Sequence, residues 1–130
     1  MNLYLVGYRC AGKTTVGRWL ADRLGWAFVD SDEEIVRAHG MTILHIVRAQ
    51  GWQGFRVKEK EAVSRIARLD RHVVATGGGA VLDAENVRQM KDTGTVVWLK
   101  DPQAFAVLDQ LTAGSDDEYQ FRTLWHGVGG

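Results

Sequence analysis

Residues 7–14, Gly7-Tyr8-Arg9-Cys10-Ala11-Gly12-Lys13-Thr14, match the pattern G-x-x-x-x-G-K-[ST] at every fixed position. No other stretch constrains the fold as strongly, because such a loop works only between a strand and a helix. The apolar run Leu3-Tyr4-Leu5-Val6 before it reads as a buried strand. After it, Val16, Leu20 and Leu24 recur at helical spacing. Glycine at positions 7 and 12 lets the backbone curl with its N–H groups inward, and the following helix adds the positive end of its dipole. In a loop of this kind Lys13 reaches the β- and γ-phosphates and the Thr14 hydroxyl ligates Mg²⁺. Cys10, Ala11 and Thr15 belong to the same phosphate-binding segment. The alternative is a chance glycine turn before a helix. The flanking elements favour a nucleoside triphosphate site, with Lys13 expected at its surface, where its loss costs little stability.

A chain of 130 residues suits one domain with a modest core. Hydrophobic content of 45% and charged content of 25% fit an ordinary soluble globular protein. Sixteen basic residues balance sixteen acidic ones with no run of like charge, so neither a nucleic acid nor a membrane surface is implied as partner. One cysteine rules out an internal disulfide framework and fits a reducing compartment. No apolar stretch approaches the ~18 residues of a membrane span, and no secretory signal is visible. These features together lead to the expectation of a cytoplasmic protein.

Strand patterns fall at 3–6, 27–29, 72–75 and 95–99. Helical patterns fall between them, at 14–24, 33–39, 43–50, 55–69 and 84–91. Alternation of this kind predicts an α/β fold, a parallel sheet with crossover helices. Continuous apolar runs such as Val96-Val97-Trp98-Leu99 suit strands buried on both faces. Ligands of such sheets bind beyond the carboxyl ends of the strands, so chemistry-bearing residues should follow strands. Asp30-Ser31-Asp32 ends the second strand. One carboxylate can hold Mg²⁺ while the other accepts a proton from an attacking hydroxyl. Equally, Asp32 suits the N-cap of a helix starting at Glu33.

Taken in order and spacing, 7–15, Asp30-Ser31-Asp32, Phe55-Arg56 with Glu59, and Thr76-Gly77-Gly78-Gly79 resemble shikimate kinase. The stretches 40–43 and 51–56 are similar to the second bacterial isoform in particular. The resemblance runs from residue 1 to about 99. It implies a three-layer P-loop fold with strand order 2-3-1-4. The implied reaction is transfer of the γ-phosphate of ATP, with Mg²⁺, to the 3-hydroxyl of shikimate in aromatic amino acid biosynthesis. Arg56 would grip the substrate carboxylate through its planar fork, and Gly77, Gly78 and Gly79 would admit the substrate to the backbone. Asp32 would bind the ring hydroxyls and take the reacting proton, while Asp30 would support Mg²⁺ with Thr14. Glu59 would orient Arg56. Bland alternatives stand beside these roles: Arg56 as a solvated surface residue, the glycines as a plain turn, and Trp52 and Trp98 as core or rim packing.

The chain also departs from that family. Its members run on past this length, with a lid, a second carboxylate-binding arginine, a fifth strand and an adenine-contacting loop. The lid arginine that meets the transferring phosphate finds its nearest match in Arg122, within Gln120-Phe121-Arg122-Thr123-Leu124, which lacks the proline usual after it. Residues 112–130 are therefore expected to be a partial lid or a disordered tail of one P-loop kinase domain. A full-length member would be a monomer, and a shorter form would tend to self-associate. Two other functions remain open on the sequence: a related small-molecule kinase, such as one for gluconate, and a non-catalytic remnant that binds nucleotide or shikimate.

Overall fold

The computed structural model describes residues 1–7 and 13–99. Residues 8–12, with Cys10, Ala11 and Gly12, and residues 100–130, with Arg122, lie outside the described part. The elements run β1 (Asn2–Gly7), α1 (Lys13–Leu24), β2 (Ala27–Asp30), α2 (Ser31–His39), α3 (Ile43–Ile66), β3 (His72–Ala75), a 3₁₀ turn (Ala80–Leu82), α4 (Ala84–Thr93) and β4 (Gly94–Leu99). All pairings are parallel, and the order is β2-β3-β1-β4, as the family resemblance implies.

Alternation along β1 explains the two-sided core. Leu3 and Leu5 face a cluster with Val16, Leu20 and Ala21 of α1 and with Val73, Val97 and Leu99. Tyr4 and Val6 face the opposite cluster, with Val63 and Ile66 of α3, Val87 and Met90 of α4, and Val74 and Val96. Each strand thus carries apolar side chains on both faces, which is why its sequence reads as a continuous apolar run. Fully burying each such aliphatic side chain contributes about 1.5–3 kcal/mol. A third cluster, Ile35, Ile46, Phe55 and Ala62, locks α2 onto α3 beside the sheet.

One expectation is borne out here and one is corrected. Separate helices at 43–50 and 55–69 are expected, and α3 (Ile43–Ile66) is two helical limbs that meet at a kink, the second ending at Ile66 rather than Leu69. At Gly51 the backbone takes φ 74°, ψ 177°, which breaks the helical path, and the second limb restarts at once. Positive φ costs glycine little, so the sequence signal of a break is real although no loop forms there. The correction concerns α2. Its cap is Asp30, not Asp32: Asp30 Oδ1 accepts from the backbone N–H of Asp32 at 2.9 Å and of Glu33 at 3.2 Å. The helix starts two residues earlier than the pattern predicts, and Asp32 lies in its first turn.

Candidate active site

At the carboxyl ends of the strands lies a cleft of about 420 Å³. Its walls include Lys13, Thr14, Thr15, Asp30, Asp32, Ile43, Trp52, Phe55, Arg56, Glu59 and Gly77–Gly79. Residues as far apart in sequence as Lys13 and Gly79 therefore meet in one space.

On one side stands the start of α1. Lys13 is only 8% exposed, and its Nζ donates to the Gly7 carbonyl at 2.6 Å. This overturns the expectation of a surface lysine: the side chain turns back to Gly7 and bridges β1 to α1. The Thr14 hydroxyl donates to Asp30 Oδ2 at 3.3 Å. Asp30 thereby uses one oxygen to cap α2 and turns the other toward Thr14. A hydroxyl and a carboxylate oxygen so placed are hard donors that suit Mg²⁺, an ion usually bound by one or two carboxylates plus phosphates and water. No group of three or more His, Cys, Asp or Glu side chains that could hold a metal occurs among the described residues. A site of the Mg²⁺–phosphate kind does not require one.

On the other side Arg56 and Glu59 face the glycine turn. Arg56 Nη1 donates to Glu59 Oε1 at 2.9 Å and to Oε2 at 3.2 Å. Glu59 is 1% exposed, whereas Arg56 is 37% exposed and opens to the cleft. Burial pushes the Glu59 carboxyl above its ordinary pKa. Hydrogen bonding and charge attraction from Arg56 pull the other way, and Asp32 and Asp83 add to the rise. The Arg56 guanidinium also sits 5.5 Å from the Trp52 ring centroid and 5.4 Å from that of Phe55. These two rings meet edge to face at 5.8 Å and 74°. Trp52 is 60% exposed at the rim, not in the core. Trp98 is half-buried against the α3–α4 face of the sheet.

Close approach sets the glycine turn. A β-carbon on Gly77 would lie 2.5 Å from Asp32 Oδ1, and one on Gly79 would collide with the Arg56 guanidinium. Among the three glycines, Gly78 is the exposed one. Beyond the turn, Asp83 caps α4 through Glu85 N–H at 2.8 Å, which holds its carboxyl below the usual range. Lys60 bridges Asp83 and Glu85 at 3.3 and 2.8 Å, tying α3 to α4 just after Arg56 and Glu59. Sequence reasoning passed over Ser31, which is fully buried and accepts the Gly77 N–H at 3.0 Å. Its only signal was its place between two aspartates.

The shikimate kinase family model matches residues 9–117. The chain belongs to the shikimate kinase family. Shikimate kinase 2 of Photorhabdus laumondii is 47% identical over 98 residues, 75% of this chain and 56% of that protein. Shikimate kinase of Persephonella marina is 48% identical over 101 residues, covering 78% of this chain and 62% of its own length. The chain thus spans 56–62% of these two relatives. Among solved structures, shikimate kinase from Acinetobacter baumannii in complex with shikimate aligns with TM-score 0.76 at 41% identity, over 95% of this chain and 73% of that one. The Aquifex aeolicus enzyme aligns with TM-score 0.75 at 29% identity, over 95% of this chain and 81% of that one. Family membership agrees with the strand order and with the cleft at the strand ends. Among the described residues of this family member, no helix is long and apolar enough to cross a membrane.

Proposed function

We propose that the protein transfers the γ-phosphoryl group of ATP to the 3-hydroxyl of shikimate. One observation carries the reading. Lys13, Thr14 and Asp30, the phosphate and metal side, share a single cleft with Asp32, Arg56 and the glycine turn, the acceptor side. A phosphorylated nucleotide on one wall and a small hydroxylated carboxylate on the other would meet within it.

Arg56 would take the substrate carboxylate. Glu59 occupies one guanidinium nitrogen and fixes the plane of the fork, so the remaining N–H groups are aimed before any ligand arrives. Asp32 lies beside Gly77, where it would receive hydrogen bonds from ring hydroxyls. As the 3-oxygen attacks, its proton passes to Asp32, the new O–P bond forms, the β,γ-bridging P–O bond breaks, and ADP leaves with the bridging oxygen. Lys13 would exchange the neutral Gly7 carbonyl for charged phosphate oxygens, the stronger acceptors, and would stabilise the charge that gathers there. Mg²⁺ would be held by Thr14 and Asp30, and it supplies neutralisation of the β- and γ-oxygens.

The test is a coupled assay with ATP and Mg²⁺, run on shikimate and on gluconate in parallel. Turnover of shikimate alone is the expected result. Preference for gluconate, or nucleotide binding with no turnover of either, overturns the reading. Arg56→Lys sharpens it, because lysine keeps the charge and loses the fork. It should weaken shikimate binding about tenfold or more, as the loss of one charge-assisted hydrogen bond does, with ATP binding intact.

A further inference from the structure

We infer that Ser31 is a positioning residue that presets the acceptor side of the cleft by holding the glycine turn through the Gly77 amide. The inference rests on the reading of that side as the shikimate pocket.

Strands β2 and β3 are neighbours, with Asp30 in register with Ala75. The residues just past each strand end therefore face one another. On the β1 flank, the Thr76 backbone N–H and its hydroxyl both donate to the Leu5 carbonyl, at 3.0 and 2.9 Å. Toward β2, Gly77 N–H donates to Ser31 Oγ at 3.0 Å. The turn is thus fastened to β1 and to the first residue of α2 before it reaches Gly78 and Gly79. Its far end is fastened by Asn86, buried, whose Nδ2 donates to the Ala80 carbonyl at 3.1 Å.

Of these ties the Ser31 bond has the greatest consequence for binding. Ser31 is adjacent in sequence to Asp32, and Gly77 is the residue whose missing side chain leaves room for the Asp32 carboxylate. One bond of a buried hydroxyl therefore fixes the separation between the proposed proton acceptor and the backbone that cradles the substrate. Ser31 is fully buried and is not among the residues that line the cleft. It acts through the turn, not on the ligand. A buried N–H deprived of its acceptor bears a desolvation penalty, so the turn should move to find water or another partner. The Thr14 hydroxyl bonds to Asp30 and not to Ser31 or Gly77, so the loss should fall on the acceptor side.

The experiment combines Gly77 amide hydrogen exchange with steady-state kinetics on the wild-type protein, Ser31→Ala and Ser31→Thr. In wild type, the Gly77 amide should be protected relative to an unstructured peptide. Ser31→Ala should speed its exchange and raise KM for shikimate by about tenfold each, on the scale of an unsatisfied buried donor, with KM for ATP unchanged. Ser31→Thr keeps the hydroxyl and should restore both. Unchanged Gly77 exchange in Ser31→Ala overturns the inference, and so does an equal rise in both KM values. Should Ser31→Ala fail to fold, an unprotected Gly77 amide in wild type overturns it alone. A wild-type protein inactive on shikimate would refute the functional reading only, and exchange at Gly77 would still decide the role of Ser31.

Discussion

Arg56 Nη1 spans both carboxylate oxygens of Glu59, at 2.9 and 3.2 Å, and Gly79 leaves the space in which that guanidinium sits. A β-carbon at position 79 would strike the end of the Arg56 side chain, which is flexible, and not backbone. Gly79 has φ −99°, a conformation alanine adopts freely. Gly79→Ala should therefore leave the melting temperature nearly unchanged while pushing the fork out of line. The expected result is KM for shikimate raised about tenfold or more, the scale of one charge-assisted hydrogen bond, with KM for ATP unchanged. A variant with normal shikimate KM would show that Arg56 does not bind the substrate from this position.

Glu59 gives a pH signature. Its carboxyl titrates above the ordinary value, chiefly through burial. The folded protein therefore binds this proton more tightly than the unfolded chain does. Linkage then makes stability fall as pH rises from the unfolded pKa near 4.5 through the raised folded value. Glu59→Gln cannot ionise, so denaturation midpoints measured from about pH 4 to pH 8 should lose that component of the slope. An identical slope in the variant would place the titration elsewhere.

Lys13→Ala should abolish turnover, since charge stabilisation carries most of the catalysis in phosphoryl transfer. The bond from Lys13 Nζ to the Gly7 carbonyl adds a second expectation. Loss of this half-shielded contact should cost about 0.5–1.5 kcal/mol of stability, more than an ordinary surface change. Thermal melts beside the activity assay check both. Retained turnover would remove Lys13 from the reaction.

The two aspartates separate cleanly by substitution. Asp32→Asn should lower kcat by about 10²–10⁴-fold, as loss of a general base does, and leave stability alone. Asp30→Ala should remove the cap of α2, at a cost of about 1 kcal/mol. It should also weaken the Mg²⁺ dependence of the reaction, because Oδ2 faces Thr14. Melting curves and Mg²⁺ titrations of the two variants are the measurement. Normal turnover in Asp32→Asn would leave the reaction without this base.

Sequence alone determined the order of strands and helices, the phosphate loop and the residue types at each strand end. Those signals are local: alternating apolar runs, helical spacing, glycine before Lys13-Thr14, paired aspartates after β2. Even the break in α3 was legible, since the helices expected at 43–50 and 55–69 leave a gap that contains Gly51. Only tertiary structure decided which aspartate caps α2. Both fit the pattern, and the choice fell to where β2 ends and α2 turns away. The burial of Lys13, the raised Glu59 and the Ser31–Gly77 bond were equally beyond reach of the sequence. Ser31 and Gly77 are 46 residues apart. They meet because β2 and β3 pair in parallel, and a pairing register is fixed by packing across the whole sheet, not by the residues on either side of the bond.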